Sequence, residues 1–218
     1  MKQPFFILNY LYFLVQNILF KSLSLILIMA LMLSSCKEDY FRKYLKKGTN
    51  EFSKKNYKLA ICYYDTALTF DAYPYLKGIV YSSRGEAKYK IGDYLGAIND
   101  CENSLNLNSS TVDDYNEEVC FIGNIKLQIG NYPSAIVEFN KIINGKSFEG
   151  KRILDTDDFR GISKDFYGTA FYSRALAEYE LKKYNNAIKD CDSAIAFNNT
   201  LSGNVLILQN KINLVKEN

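Results

Sequence analysis

Apolar and polar positions divide the chain into two unlike parts. Residues 23–33 read Leu-Ser-Leu-Ile-Leu-Ile-Met-Ala-Leu-Met-Leu, an 11-residue apolar run with Lys21 before it and Ser34-Ser35-Cys36 behind it. A membrane span needs roughly 20 apolar residues, whereas the apolar part of a secretion signal needs roughly 7–15. Beyond residue 36 the pattern changes to helical spacing, in which conspicuous residues recur at intervals of three and four. Four segments fall into phase when aligned on an Ala. They are Gly48, Tyr57, Ala60, Tyr64 and Ala67; Gly85, Tyr94, Ala97, Cys101 and Ser104; Gly123, Tyr132, Ala135, Phe139 and Ile142; and Ala175, Tyr184, Ala187, Cys191 and Ala194. Each runs from a small residue to a Tyr, an Ala, an aromatic or Cys, and a small or aliphatic residue. Asn, Asp or Gly precedes the Tyr in three of them, as in Gly92-Asp93-Tyr94, Gly130-Asn131-Tyr132 and Asn56-Tyr57, while the fourth has Lys183-Tyr184.

This pattern resembles the tetratricopeptide repeat, a unit of about 34 residues that forms two antiparallel helices. We read repeats at 41–74, 78–111, 116–149 and 168–201, with a capping helix at 202–218. The resemblance implies an all-α, right-handed superhelical solenoid, because one such unit cannot bury its apolar face without a neighbour. Departures are visible. Lys47, Arg84, Ile122 and Arg174 stand where the family has Leu, and the closing Pro is absent from every repeat. In the cap, Val205, Leu206, Leu208, Ile212 and Val215 form the expected buried stripe, with polar residues on the outer face. The segment from Gly145 to Gly168, with four Gly and the run Asp155-Thr156-Asp157-Asp158, reads as a long loop between the third and fourth repeats.

Leu33-Ser34-Ser35-Cys36 resembles the lipobox of bacterial lipoproteins, in which the Cys becomes a lipidated N-terminus. The resemblance divides the chain into a lipoprotein signal peptide at 1–35, a lipidated tether at 36–40 and the solenoid at 41–218. Lys37-Glu38-Asp39 resembles the signal that sends lipoproteins of one Gram-negative group to the cell surface. The implied location is the outer membrane of a bacterial envelope, lipid-anchored through Cys36. A single uncleaved anchor over 5–33 is the competing reading, weakened by Asn9, Gln16, Asn17 and Lys21.

Composition narrows the chemistry. The chain has no His and no Trp but 18 Tyr and 14 Phe. Without His there is no Ser-His-Asp triad, no Cys-His pair and no His-ligated zinc. The first 35 residues hold Lys2 and Lys21 and no acid, so the remainder is nearly neutral, and no run of Lys and Arg exceeds two. That is no footprint for nucleic acid. Gly145-Lys146-Ser147 lacks the earlier Gly of a phosphate loop, since position 140 is Asn, and Phe159 and Arg160 break a calcium loop at the acidic run. The cysteines beyond Cys36 form no Cys-X-X-Cys pair, and Cys101 and Cys191 fall at a core position of the repeat. We therefore expect no enzyme, no metal and no cofactor.

In the resembled family the first helix of each repeat lines a concave, partner-binding groove. The matching positions here are Arg42, Thr49 and Phe52; Glu86 and Tyr89; Asn124 and Gln128; and Tyr172 and Tyr179. Positions that clamp a C-terminal carboxylate in some members hold Leu45, Thr49, Ser83, Glu117 and Phe121, so that clamp is missing. The implied function is a protein–protein interaction adaptor or assembly factor in the envelope, holding a protein or peptide in the groove. The alternative is a glycan- or nutrient-binding accessory lipoprotein of an outer-membrane uptake system, which a short chain without Trp fits less well.

Overall fold

The structure, a computed structural model, describes residues 20–23, 38–107, 112–144 and 164–216. The lipobox, most of the apolar run before it and residues 145–163 lie outside the described residues. The described residues are helical with no strand. After a helical turn at 20–23 come α1 (38–53), α2 (Tyr57–Leu68), α3 (Pro74–Lys90), α4 (Tyr94–Asn106), α5 (Val112–Gln128), α6 (Tyr132–Ile143), α7 (Lys164–Glu180), α8 (Tyr184–Phe197) and α9 (Ser202–Lys216). The first eight pair as helix-turn-helix units, successive units stack, and α9 closes the stack against α8. The fold class is the expected one.

The turn inside each unit is built the same way four times. The residue after the last helical turn takes positive φ: Lys55 at 65°, Gly92 at 84°, Gly130 at 78° and Lys182 at 59°. Its N–H donates to the carbonyl three residues back, as from Gly92 to Tyr89 at 3.0 Å. The next N–H donates five residues back, as from Asp93 to Lys88 at 2.9 Å. This is the Schellman arrangement, which satisfies carbonyls left open at a helix end. The following helix is capped by a side chain in the second and third units, whereas Asn56 in the first donates to Glu51 instead. Asp93 accepts from the Gly96 N–H at 3.0 Å, and Asn131 accepts from Ser134.

The aligned residues form the core. Ala60, Ala97, Ala135 and Ala187 have no exposed surface. The small residue of each first helix lies under the large residue of its second: Gly48 under Tyr64 and Gly123 under Phe139, where any Cβ would overlap the ring. Gly85 faces the smaller Cys101, and in the fourth unit Ala175 is tolerated opposite Cys191. In three of the four units the Tyr after the turn packs back on an aromatic of the first helix, in the pairs Phe52–Tyr57, Tyr89–Tyr94 and Tyr179–Tyr184 with centroids 5.4, 5.7 and 5.9 Å apart. The third unit has Leu127 at the matching position.

Three expectations need correction. Helices α3, α5 and α7 each begin four residues ahead of the repeat window, at Pro74, Val112 and Lys164. Pro thus opens α3, where its missing N–H costs nothing. Gly168 is accordingly helical and not the end of a loop, and it lies against Asn198 and the carbonyl of Ala194. On α9, Val205, Leu208 and Ile212 are buried, but Leu206 and Val215 face outward with Ile207 and Leu214. The buried stripe is narrow because α9 meets α8 along one edge, tied by Gln209 to Asp192 and Lys216 to Asn185. Its outer face is therefore partly apolar.

Candidate functional site

A groove of about 660 Å³ runs along the first helices α3, α5 and α7. Ser82, Ser83 and Glu86 come from α3, Glu117, Glu118, Phe121 and Asn124 from α5, and Phe166 and Thr169 from α7. Ile79 and Leu105 add apolar wall, and Tyr75 stands at the α3 entrance. The side chains share this surface because all three are first helices of successive units, so one helical face of each points the same way.

The structure brings two sequence-assigned residues, Glu86 and Asn124, into this groove, both exposed. Tyr89 and Gln128 stand further along the same helices. The Tyr89 hydroxyl donates to Gln128 Oε1 at 2.7 Å, Gln128 Nε2 donates to the Tyr94 hydroxyl at 2.9 Å, and the Tyr89 ring meets Phe121 edge-on at 5.2 Å. That network ties the second unit to the third. Arg42 pairs with Glu38 at 2.7 Å and also interacts with Tyr75. Thr49, Phe52, Tyr172 and Tyr179 do not line the groove. Thr49 Oγ1 donates to the Leu45 carbonyl, Phe52 and Tyr179 pack on the Tyr of their own turns, and Tyr172 packs in the core of the fourth unit.

Sequence reasoning missed Glu118. It is 8% exposed and lies on the groove wall. Ser82 Oγ donates to its Oε2 at 3.0 Å, and Oε1 is buried with no hydrogen-bond partner. Burial pushes its carboxyl above the ordinary value, Glu117 and Glu86 push the same way, and the Cys101 thiol and Ser82 pull against them. The signal was present. Glu118 falls in step with Ile122 and Ile125, both buried, so it is an acid written into an apolar helical stripe.

The buried thiols are poor nucleophiles. Cys101, Cys120 and Cys191 are buried and unpaired, and Cys62 is exposed. Burial raises the Cys120 thiol to about 12 and the Cys191 thiol to about 11. Among the described residues no group of three Cys, Asp or Glu is arranged to hold a metal ion, and no helix is long and apolar enough to cross a membrane.

No protein-family model matches the sequence, and no curated protein does. By structure the chain is similar to MamA, residues 41 to the end, from Desulfovibrio magneticus RS-1. The TM-score is 0.64 at 14% identity, over 82% of this chain and 86% of that one. It is also similar to PlcR of Bacillus thuringiensis, solved in complex with the peptide PapR7 and DNA. There the TM-score is 0.54 at 17% identity, over 82% of this chain and 64% of that one. The Cut9–Hcn1 hetero-tetramer of APC/C gives 0.54 at 20% identity, over 78% and 29%. At such identities the likeness establishes the fold, a tetratricopeptide-type solenoid.

Proposed function

We propose that the chain is a membrane-tethered adaptor of the bacterial envelope, lipidated at Cys36, whose solenoid holds a protein or peptide in the groove of α3, α5 and α7. The observation that carries the reading is the groove itself. It is large enough for several side chains, it mixes aromatic with polar wall, and it holds no thiol of ordinary acidity and no metal-binding cluster among the described residues. Such a surface recognises a polypeptide through apolar anchors and a few oriented polar groups. PlcR, of like fold, is solved with a bound peptide, which supports the same use here. The lipobox supports the tether, because several acyl chains anchor far more firmly than one.

Two measurements test it. Palmitate labelling of wild type and Cys36→Ala in a bacterial host, followed by protease treatment of intact cells, reads the anchor and its face. Label on wild type alone is expected, and label on neither overturns the lipidated tether. A photo-crosslinking residue at position 124 is expected to trap a polypeptide in the envelope. Trapping that survives Phe121→Ala undiminished overturns the groove.

A further inference from the structure

Most buried carboxylates among the described residues come with cations. Asp100 meets Arg84 Nη2 at 2.6 Å and Lys88 Nζ at 2.9 Å, Glu138 meets Lys126 at 2.8 Å and Lys141 at 2.5 Å, and Asp190 meets Arg174 at 2.6 Å. Glu178 also forms no ion pair among the described residues, but Arg174 and Lys183 act on it. Glu118 is the exception whose charged neighbours are acids. It is as buried as the paired carboxylates, yet no Lys or Arg among the described residues pairs with it. Its neighbours on the groove wall worsen the imbalance, since Glu86 and Glu117 are acids and the lining includes no Lys or Arg. Arg42 reaches the Tyr75 rim but is already paired with Glu38.

Burying an unpaired carboxylate is costly, and the cost is relieved when an opposite charge arrives in the same low-dielectric space. Ser82 fixes one oxygen of Glu118 and leaves the other without a partner. Phe121 and Phe166 stand beside it in the groove, suited to the aliphatic stem of a long cationic side chain and to its charged head. The flanking Phe121 and Phe166 suit an organic cation with an apolar stem, and no group of three carboxylates among the described residues is arranged for a metal ion.

We propose that this end of the groove is a receptor for a cationic side chain: a Lys or Arg of a bound polypeptide enters between Glu86, Glu117 and Glu118, and the apolar residue beside it packs on Phe121 and Phe166. The inference rests on the peptide-binding reading above and gives that partner its chemistry. It also inverts the carboxylate clamp, because Glu117 repels a C-terminal carboxylate where that clamp holds one.

The test is selection of a random peptide display library on the full chain in detergent micelles, run in parallel on Glu118→Gln, Glu117→Lys and Phe121→Ala. Circular dichroism checks each variant, and exposed Glu117 provides the readout if Glu118→Gln fails to fold. Peptides enriched on wild type are expected to share a Lys or Arg beside an aromatic or aliphatic residue. A synthetic peptide of that motif is expected to bind the two charge variants about tenfold or more weakly. An acidic or uncharged motif, or equal affinity for wild type and both charge variants, overturns the cationic receptor. The groove reading then stands if Phe121→Ala abolishes binding. No enrichment over a bare-matrix control overturns both.

Discussion

Arg84 grips Asp100 with one edge of its guanidinium, Nε to Oδ2 at 2.8 Å and Nη2 to Oδ1 at 2.6 Å, across the two helices of the second unit. Its third nitrogen, Nη1, reaches back to Asp65 on the preceding unit at 2.6 Å. Arg174 repeats the arrangement in the fourth unit, with Asp190 at 2.6 Å through both Nε and Nη2 and Asn140 of the preceding unit through Nη1. Asp65 and Asn140 occupy equivalent places in their repeats, so the long segment at 145–163 is inserted without changing the register of stacking. Arg174→Ala strips Asp190 of its Arg, and removing one partner of a buried pair costs about 3–5 kcal/mol. Arg84→Ala should cost less, because Asp100 keeps Lys88 at 2.9 Å. Urea unfolding of both variants checks the order, and a larger loss for Arg84→Ala would contradict it.

The fourth unit lacks that spare cation. Lys88 and Lys126 hold the acids of the second and third units, but the equivalent residue is Glu178, buried with Oε2 unpartnered. Burial pushes its carboxyl up, and Asp190 adds to the effect. Glu178→Lys places a cation beside Asp190 and removes a like-charge neighbour, and should stabilise the protein by about 1 kcal/mol or more. A lowered melting temperature would show that Arg174 tolerates no second cation there.

Much of this was legible in the sequence, and the rest was hidden for a physical reason. The phase of Gly48, Tyr57, Ala60 and Tyr64 gave the helix pairs, because close packing tolerates little variation in side-chain volume. Lys47, Arg84 and Arg174 looked like departures from a family Leu. In space they are one half of a pattern whose other half lies sixteen residues on: Asp100 and Asp190 for the arginines, and the Tyr63 ring for Lys47. Periodicity on a single helix cannot display a cross-helix pair. The cavity lies on the first helices, with Glu86 and Asn124 in its wall as the repeat positions imply, because helical geometry dictates a shared face. Phe52, Tyr172 and Tyr179 were assigned to it although their rings are used in packing, a choice that side-chain direction makes and residue type does not.

Volume complementarity under each first helix makes a separable prediction. A methyl on Gly123 would come within 2.6 Å of Phe139 Cε1, a buried ring with little room to yield. Gly123→Ala should destabilise by about 1–3 kcal/mol. Adding Phe139→Cys recreates the Ala175–Cys191 combination of the fourth unit and should recover part of the loss. Thermal melts of the single and double variants check this, and strict additivity of the two losses would refute the steric coupling.

The turns predict a gain. Lys55 and Lys182 hold the positive φ that Gly92 and Gly130 hold without strain. A left-handed conformation costs a residue with a Cβ about 1–2 kcal/mol, part of which glycine returns as unfolded-chain entropy. Lys55→Gly should therefore raise stability by about 0.5–1 kcal/mol, whereas Gly92→Lys should lower it. Denaturant midpoints read both, and a destabilised Lys55→Gly would mean that the Lys side chain contributes more than its backbone costs.

Two buried glutamates should give the protein opposing responses to pH. For Glu138, burial pulls the carboxyl upward, but Lys126 and Lys141 together outweigh it and hold it below its ordinary value. Its contribution is present above the ordinary carboxylate range and is lost as pH falls through its lowered value. Glu118 is held above the ordinary value by burial and by Glu117 and Glu86, with no cation to oppose them. Its contribution is complete below the ordinary range and is lost as pH rises through its raised value. Glu118→Gln keeps the neutral shape and an acceptor for Ser82 while removing the charge. It should raise the melting temperature near about pH 8 and lose that advantage near about pH 4, where wild-type Glu118 is itself protonated. Glu138→Gln should do the reverse, destabilising near about pH 8 and converging with wild type only in acid. Melting curves across that range separate the two. An equal loss at every pH for Glu118→Gln would make Glu118 a purely structural acceptor. A gain at high pH joined to weaker binding of a cationic peptide would mean that the apo protein keeps this acid at the expense of its own stability.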